Sequence, residues 1–381
     1  MSSKNLDHYF KLLEESYTYF ENDLIELSHL IHSNPELAFN EFKAVKNCLA
    51  TLLKHGLKGE CDVYDLPTAI ELKIGKGITK VAICAEYDAL PEIGHACGHN
   101  IIAAAAVGAV LLLKDLTDEL NLSVTFLGTP GEEGGGGKIL MMERGAFDNI
   151  DAAMMIHPAP IDSWEMKCRA IDQYSVSFRG KASHASSAPE LGKNALDAQV
   201  LSQVAIGLLR QQLNQGDQIH GIITHGGDAA NVIPEFTSSM YYLRAPTVEK
   251  LELLKPKVFD CFTGAAIATQ TEVEITSTAP VYSEFKTDGG LLSHFKKAAS
   301  FIGLNKADIN DVGLSASTDM ANISLKVPSI HPLIGIDSHG SVNHQNEFAT
   351  ACVGQSANAA IKKGAVSMAL TAISRAMETS K

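Results

Sequence analysis

Two histidines and a cysteine lie close together in "GHACGHN", residues 94–100, directly before the apolar run "IIAAAAVGAVLLL". In a helix the side chains of Cys97 and His99 would diverge by about 200°, whereas in loop backbone they can point the same way and meet one ion. Gly98 permits a tight turn between them, and Asn100 is then expected to cap the helix that follows. From this stretch alone, a buried cysteine beside a hydrogen-bonded histidine and a cysteine nucleophile are alternatives to a metal site.

A pair of carboxylates, Glu132 and Glu133, follows a predicted strand in "GTPGEEGGGG" and precedes four glycines. Neighbouring side chains point apart, so one can bind a metal ion while the other faces a reacting water. Metal-assisted hydrolysis needs that division between a ligand and a general base. On its own the segment is more typical of a solvated acidic turn in a flexible loop.

Two further histidines follow apolar stretches, His157 in "MMIHP" and His344 in "GIDSHGSVNHQNEF". A lone histidine at a strand end is more often a core or rim residue than a ligand. Together with Cys97, His99 and Glu133, however, these histidines supply sulfur, nitrogen and oxygen ligands. Such a set is typical of Zn²⁺, with carboxylate enough to hold a second ion.

The elements that must position these residues alternate between strand and helix. Three β-rich runs, at 80–90, 122–133 and 151–158, are separated by helical patterns at about 100–116 and 138–145. This alternation predicts an α/β domain with a largely parallel mixed sheet flanked by helices. Sites in such sheets collect at the loops beyond the carboxyl ends of the strands, where the polar residues above are found.

From residue 172 the pattern changes to the order β-α-β-β-α-β, which is typical of a ferredoxin-like unit. In its first helix Leu196, Val200, Val204 and Leu208 recur at a spacing of four, and its second helical stretch, 248–268, is expected to be interrupted near Pro256. We therefore predict an inserted domain at 172–281 and a discontinuous domain made of 1–171 and 282–381.

Composition excludes several classes of function. The chain has 44 acidic and 31 basic residues and a formal net charge of −13, which disfavours binding to nucleic acid. The longest apolar run, 101–113, is shorter than the roughly 20 residues that span a membrane. Seven scattered cysteines do not suggest a disulfide framework, so the expected location is a reducing cytoplasm.

Five ordered motifs then identify a family resemblance: "AEYDALPEIGHACGHN", "GTPGEEGGGG", "MMIHP", "GKASHASSAPELGKNALDA" and "NVIPE". Their order resembles that of the aminoacylase and carboxypeptidase metallohydrolases, which are dinuclear-metal zinc peptidases. The chain is most similar to their amidohydrolase branch, which includes aminobenzoyl-glutamate hydrolases and auxin-conjugate hydrolases. The segment "SNPELAFNE" at 33–41 also fits the turn after the N-terminal helix of the family.

The resemblance implies an α/β catalytic domain that binds two divalent ions, zinc or alternatively manganese, and an inserted ferredoxin-like lid that dimerises. Glu132 matches the general base and Asp88 matches an aspartate beside the metals. The positions that match the metal ligands are Cys97, His99, Glu133, His157 and His344.

In the lid, His184 resembles a histidine that stabilises the oxyanion in the active site of the neighbouring subunit. Asn231 and Arg244 match residues that hold the substrate, and the planar fork of Arg244 suits a carboxylate.

The chain departs from the family pattern at two positions. Asn100 stands where many relatives have aspartate, which weakens a role for a carboxylate there. Glu86 stands where other branches have a ligand histidine, so His99 must replace that ligand, and Glu86 can itself approach a metal. His95 and His339 are family-like neighbours to which the motifs assign no role.

The predicted function is that of a cytoplasmic metal-dependent amidohydrolase or peptidase. It would cleave the amide bond of N-acyl amino acids or short peptides with Glu132 as general base, as a homodimer through the lid or a higher assembly. A thiol hydrolase that uses Cys97 and a non-catalytic zinc-containing binding protein are the alternatives. The motifs do not identify the acyl group or the amino acid.

Overall fold

The structure, a computed structural model, describes residues 3–304 and 316–379. The described residues form two compact units. Residues up to Lys167 together with those from Phe285 onward make the first unit, and Cys168–Glu284 make the second.

The helices and strands of the described residues have the following bounds. The helices are α1 (Ser3–His32), α2 (Phe42–Lys54), α3 (His99–Leu113), α4 (Gly137–Glu143), α5 (Ala195–Leu209), α6 (Val248–Thr269), α7 (Gly289–Phe301), α8 (Met320–Ser324), α9 (Asn346–Ala351) and α10 (Gln355–Thr379). The strands are β1 (Glu60–Val63), β2 (Leu66–Ile74), β3 (Thr79–Ala85), β4 (Leu122–Gly128), β5 (Ala152–Met154), β6 (His157–Ala159), β7 (Ala170–Arg179), β8 (Ser183–His184), β9 (Gln218–His225), β10 (Val232–Ile233), β11 (Phe236–Ala245), β12 (Glu272–Ser277), β13 (Ser329–Ile330) and β14 (Leu333–Gly335).

The first unit is built on a six-stranded mixed sheet in the order β1-β2-β4-β3-β5-β13. Strands β4, β3, β5 and β13 are parallel to one another. At one side of the sheet β2 runs antiparallel to β4, and β1 runs antiparallel to β2. Alternate residues of β3 face two different cores: Val81 and Ile83 pack in the core with α1, α3 and α10, and Ala82 and Cys84 pack with α4 and α8. The sheet is thus flanked by helices on both faces, which confirms the predicted α/β class with a parallel-containing sheet.

Helix α3 is buried along its whole length. It begins at His99, and the residue before it, Gly98, has a left-handed backbone (φ 76°), so the expected capping by Asn100 is wrong. Asn100 lies inside the first turn, where its side-chain amide donates to the Ser28 hydroxyl (2.8 Å) and the Cys352 carbonyl (3.0 Å). Glycine is needed at position 98 because a Cβ there would approach Pro158 to 2.4 Å.

The second unit contains a four-stranded antiparallel sheet in the order β12-β7-β11-β9 and a short β10-β8 pair. Its single core cluster joins residues of β7 and β11 to residues of α5 and α6. Along β11 the burial alternates, so Tyr241, Leu243 and Ala245 belong to this core while the residues between them do not.

Helix α5 has several of its larger apolar residues on the outside. Val200, Val204 and Leu208 are 51%, 53% and 72% exposed. The buried side of the helix consists mainly of small or polar residues: Ala195, Ala198, Gln199, Ser202 and Ile206. An apolar stripe therefore lies uncovered on this unit.

Helix α6 runs without a break through Pro256, so the expected interruption is wrong. Leu251 and Leu254 before the proline and Val258 and Phe262 after it are all buried in one core. Burial of apolar side chains on both sides of the proline outweighs the backbone hydrogen bond that the proline removes.

In the part of the chain that the structure describes, no helix combines the length and the apolar character needed to cross a bilayer.

Candidate metal centre

The candidate ligands lie beyond the carboxyl ends of adjacent strands of the first unit. Glu86 and Asp88 follow β3, the Glu132–Glu133 pair follows β4, and His157 comes three residues after β5. Because these strands are parallel neighbours in the order β4-β3-β5, the loops that follow them meet at one edge of the sheet.

The first group of possible ligands consists of Cys97, His99 and His157, whose ligand atoms all lie within 4.8 Å of one another. Asp88 orients His99, because its carbonyl oxygen (2.9 Å) and its carboxylate (3.0 Å) both lie at hydrogen-bond distance from Nδ1. A proton on Nδ1 leaves the Nε2 lone pair directed at the site, which is the arrangement that metal-binding histidines adopt.

The second group consists of Cys97, Glu133 and His344, again within 4.8 Å of one another. Glu133 Oε1 lies 3.8 Å from His344 Nε2. The backbone N–H of His344 donates to the Ala96 carbonyl (3.0 Å), so the late loop is attached to the cysteine loop. Cys97 belongs to both groups, and the structure thus brings together all five residues that the sequence predicts as ligands.

A third group consists of Glu86, His99 and Glu132, all three of which are buried. His99 Nε2 lies 3.4 Å from Glu86 Oε2 and 4.0 Å from Glu132 Oε2. Glu132 therefore approaches His99, whereas its neighbour Glu133 approaches His344.

Buried atoms without a hydrogen-bond partner indicate that these groups suit a cation. Among the described residues they include His99 Nε2, Glu86 Oε2 and Glu133 Oε1. Leaving such an atom unsatisfied costs about 1–3 kcal/mol. Each is of a type that coordinates divalent metal ions, and together with the cysteine sulfur they fit a metal such as Zn²⁺.

Burial and negative charge shift the pKa values of the site. Burial raises the pKa of Glu132 well above its ordinary value, and the carboxylates of Glu86 and Glu133 raise it further. Burial and the nearby Glu133 likewise raise the pKa of the Cys97 thiol. A nucleophilic cysteine has a lowered pKa, so this environment does not favour the thiol hydrolase alternative.

Sequence reasoning missed Lys138 and Asp319, which form a buried ionic cluster with Glu86. Lys138 Nζ donates to Glu86 Oε1 and to Asp319 Oδ1 (2.8 Å), and all three side chains are fully buried. Burial alone would lower the pKa of Lys138, but the two carboxylates outweigh it and raise that pKa. The sequence feature that could have indicated this cluster is the position of Lys138 between the glycine run and the apolar segment "ILMM".

His331 was also missed. Its ring is buried, neither ring nitrogen has a hydrogen-bond partner among the described residues, and its centroid lies 5.7 Å from that of His157. The sequence signal was an Ile-His-Pro tripeptide after an apolar stretch, which His157 shares. Of the residues without a predicted role, His95 is buried near His32 and His339 is exposed near Asp337.

The three remaining predicted residues belong to the second unit. His184 is exposed in β8, where it pairs with Val232 of β10, and its Nδ1 accepts the backbone N–H of Ser187 (3.2 Å). Asn231 precedes β10 and its carbonyl accepts the Ala185 N–H (2.9 Å), and Arg244 lies in β11. Their roles stay predictions.

Comparison with known proteins gives consistent findings. A model of peptidase family M20/M25/M40 matches residues 82–372. The chain is 38% identical over 368 residues to Xaa-Arg dipeptidase of Mus musculus, covering 91% of this chain and 84% of the relative. It is 32% identical over 270 residues to one of the subunits of p-aminobenzoyl-glutamate hydrolase from Escherichia coli strain K12, covering 65% of this chain and 56% of that relative. Among solved structures, a dinuclear metal binding peptidase from the M20 family of Bacillus subtilis superposes with a TM-score of 0.68 at 20% identity, covering 93% and 98%.

Proposed function

The chain belongs to peptidase family M20/M25/M40 and is a metal-dependent amidohydrolase or peptidase. We propose that it cleaves the amide bond of dipeptides and related N-acyl amino acids at the metal centre described above. The observation that supports this most strongly is the pair of three-residue ligand groups that share Cys97, with Glu132 beside them.

The two ligand groups define which residues would hold two metal ions. Cys97, His99 and His157 would hold one ion, and Cys97, Glu133 and His344 the other. When bound, such ions lower the pKa of water towards about 7 and polarise the amide carbonyl. We propose Zn²⁺ because the donors are mixed sulfur, nitrogen and oxygen, with Mn²⁺ as the alternative.

Glu132 is the proposed general base. Its carboxylate accepts the proton of the attacking water and then delivers it to the nitrogen of the leaving amine. Burial and the nearby Glu86 raise the pKa of Glu132, which makes its carboxylate a stronger proton acceptor for the first transfer. Asp88 acts through His99, whose ring it orients.

Substrate binding is assigned to the second unit. Arg244 would pair with the free carboxylate of the substrate, and Asn231 would hold the substrate through its amide. His184, reaching from a partner subunit, would donate to the oxyanion of the tetrahedral intermediate. These roles rest on the motif positions.

The substrate class follows from similarity and charge. Xaa-Arg dipeptidase is the relative with the broader coverage, so dipeptides with a basic C-terminal residue are proposed as the first class to test. The net charge of −13 supports this choice, because a negative field raises the local concentration of cationic substrates.

We infer that the second unit is a ferredoxin-like lid and forms a homodimer with a second copy. Its sheet order and its strand–helix–strand–strand–helix–strand sequence support the first assignment. Strand β9 lies at the sheet edge, and its Ile222 is 64% exposed. A Cβ at Gly226 would lie 3.9 Å from both Ile223 and Leu196, so the end of β9 adjoins the α5 stripe.

A second copy is the occupant that this surface suits. An edge strand presents unpaired backbone groups that an identical strand can pair with, and a two-fold axis would place one apolar stripe against the other. A cytoplasmic location is proposed as well, because all seven cysteines are free.

The test combines metal analysis with a substrate panel. Purified protein is assayed for metal content and for hydrolysis of Xaa-Arg dipeptides, Xaa-Glu dipeptides, N-acyl amino acids and p-aminobenzoyl-glutamate, with and without chelator. We expect about two ions per chain and chelator-sensitive cleavage that is fastest for basic dipeptides. Activity that survives chelation but is lost on alkylation would establish a thiol hydrolase instead. Bound metal without cleavage of any substrate would leave a binding protein.

A further inference from the structure

The turn that presents Glu132 and Glu133 is held by three buried carboxylates from separate parts of the chain. Glu41 Oε1 accepts the Gly131 N–H (2.8 Å) and Asp88 Oδ2 accepts the Glu133 N–H (2.8 Å). Asp319 Oδ2 accepts the Lys138 N–H (2.8 Å) just after the glycine run. Asp88 also orients His99 and Asp319 also binds the Lys138 side chain, whereas the catalytic proposal gives Glu41 no role.

Glu41 is a fully buried carboxylate with uncharged hydrogen-bond donors. Besides the Gly131 N–H, its Oε1 accepts the Phe39 N–H (2.9 Å), and its Oε2 accepts the Thr68 hydroxyl (2.6 Å). Thr68 is itself buried and its carbonyl accepts the Tyr87 hydroxyl. Burying a carboxylate without a cation among its donors is costly, so its presence needs an explanation beyond packing.

Phe39 also supports the Glu132–Glu133 turn. It adopts a left-handed backbone (φ 63°), which is uncommon for a bulky residue and needs surrounding contacts to hold it. A Cβ on Gly131 would approach its ring to 2.9 Å and one on Gly135 to 2.6 Å, so the ring packs directly on the glycine turn. The Phe39 N–H bond to Glu41 therefore fixes the ring that covers the turn.

We propose that Glu41 is a positioning residue that fixes the Glu132–Glu133 turn. It does so because its side chain is long enough to bring Oε1 to the Gly131 N–H, and not because it is charged. Residue 131 directly precedes Glu132, so a shift of the Gly131 backbone moves the proposed base. Displacement of a catalytic group by about 1 Å can reduce the rate on the order of 10²-fold. The kinetic part of this inference rests on the proposed function.

Two substitutions separate the effect of side-chain length from the effect of side-chain charge. Glu41→Gln keeps an oxygen at the same distance and removes the charge, whereas Glu41→Asp keeps the charge and is one methylene shorter. We expect Glu41→Gln to retain kcat within about threefold, and Glu41→Asp to lower kcat by about 10- to 100-fold with KM nearly unchanged. A Glu41→Gln variant that loses as much kcat as Glu41→Asp, or a Glu41→Asp variant with wild-type kcat, overturns the proposal.

Hydrogen exchange provides a readout that does not depend on activity. Amides of the segment 129–137 should exchange faster in Glu41→Asp than in the wild type, and at the wild-type rate in Glu41→Gln. Hydrogen exchange is measured without substrate. A wild-type protein that cleaves none of the substrates in the panel would therefore contradict the proposed function, and the exchange data would still test this inference. Equal exchange in all three proteins contradicts the inference even where the enzyme is active.

Glu36→Ala is the matched structural control. Glu36 Oε2 accepts the Lys43 and Ala44 N–H groups at the start of α2, so its loss should lower stability without altering kcat or exchange at 129–137. If Glu41→Asp does not fold, Thr68→Val replaces it, because it removes the hydroxyl that holds Oε2. Faster exchange at 129–137 and a several-fold lower kcat are then expected, and no change in either overturns the proposal.

Discussion

At the scale of single residues, Cys97 is the side chain on which the two ligand groups depend most. It is the one residue that the groups Cys97–His99–His157 and Cys97–Glu133–His344 have in common. Burial and carboxylates raise the pKa of its thiol, so a cation is what would stabilise the thiolate form there. The cysteine is therefore better suited to hold metal than to attack a substrate.

The first prediction concerns this shared ligand. Cys97→Ala removes a donor from both groups, so metal content should fall from about two ions per chain to below one, and hydrolysis should be lost with it. Elemental analysis of the dialysed protein measures this. Cys48→Ala, at another buried cysteine, is the matched control and should keep both ions. Full metal content in Cys97→Ala would show that the shared-ligand assignment is wrong.

The second prediction concerns the buried lysine. Lys138→Met leaves the carboxylates of Glu86 and Asp319 buried without their cation and should lower the free energy of unfolding by about 3–5 kcal/mol. Urea unfolding of the metal-free protein measures the change. Lys362→Met, which breaks the half-exposed pair with Glu14, should cost no more than about 1 kcal/mol. Equal losses in the two variants would contradict the ionic role.

The third prediction is a pH dependence of stability due to Glu41. Burial raises its pKa to about 7, with Asp88 adding to the shift and the Thr68 hydroxyl opposing it. A raised pKa means that the folded state holds the proton more tightly, so the stabilising contribution is complete below about pH 4.5 and is lost as pH rises through 7. At about 1.4 kcal/mol per pKa unit, the loss is roughly 3 kcal/mol.

Glu41→Gln cannot titrate, so its free energy of unfolding should rise relative to the wild type between pH 4.5 and pH 7.5. Chemical unfolding of the two metal-free proteins at matched pH values gives the difference between their free energies of unfolding. The titration of groups that both proteins share cancels in this difference. A difference that is constant over this range would mean that the pKa of Glu41 is not raised.

At the scale of elements, hydrophobic periodicity predicted β3, β4 and β5 of the first unit, the helices α3 and α4 between them, and the strand ends that bear the ligands. The predicted strand at 80–90 stops at Ala85, because the chain turns there into the loop that contains Glu86 and Asp88. Periodicity could not predict the pairing of Lys138 with Asp319, which lie 181 residues apart. Such a contact depends on how α4 and α8 pack, and one sequence contains no signal for that packing.

Helix α5 shows the same limit in another form. The spacing of Leu196, Val200, Val204 and Leu208 correctly indicates one apolar face, but not whether the unit itself covers that face. Small residues on the opposite side allow α5 to approach the core closely, which leaves the larger side chains outside. The uncovered stripe is what motivates the proposed homodimer.

The fourth prediction tests this stripe. Val204→Glu combined with Leu208→Glu places charge in the proposed interface and should convert the dimer to a monomer at micromolar concentration. Light scattering after size exclusion measures the mass. Leu253→Glu, at an equally exposed leucine on α6, is the control and should leave the dimer intact. A wild-type monomer, or a double variant that stays dimeric, would rule out this interface.

At the scale of the whole molecule, the two units divide the proposed work. All candidate metal ligands and the proposed base lie in the first unit, and the predicted substrate residues His184, Asn231 and Arg244 lie in the second. The motif order in the sequence predicted this distribution of residues. The roles of the second-unit residues stay predictions, since those roles depend on a substrate and on a partner subunit.

The measurement that tests the central claim most directly is turnover and metal content of Glu132→Gln. The amide has nearly the shape of the carboxylate but cannot accept the water proton, so kcat should fall by about 10²–10⁴. Metal content should remain that of the wild type, because the two groups that share Cys97 do not include Glu132. Glu143→Gln, at an exposed position on α4, should retain full activity. Wild-type turnover in Glu132→Gln would contradict the account, and loss of metal from it would make Glu132 a ligand instead of a base.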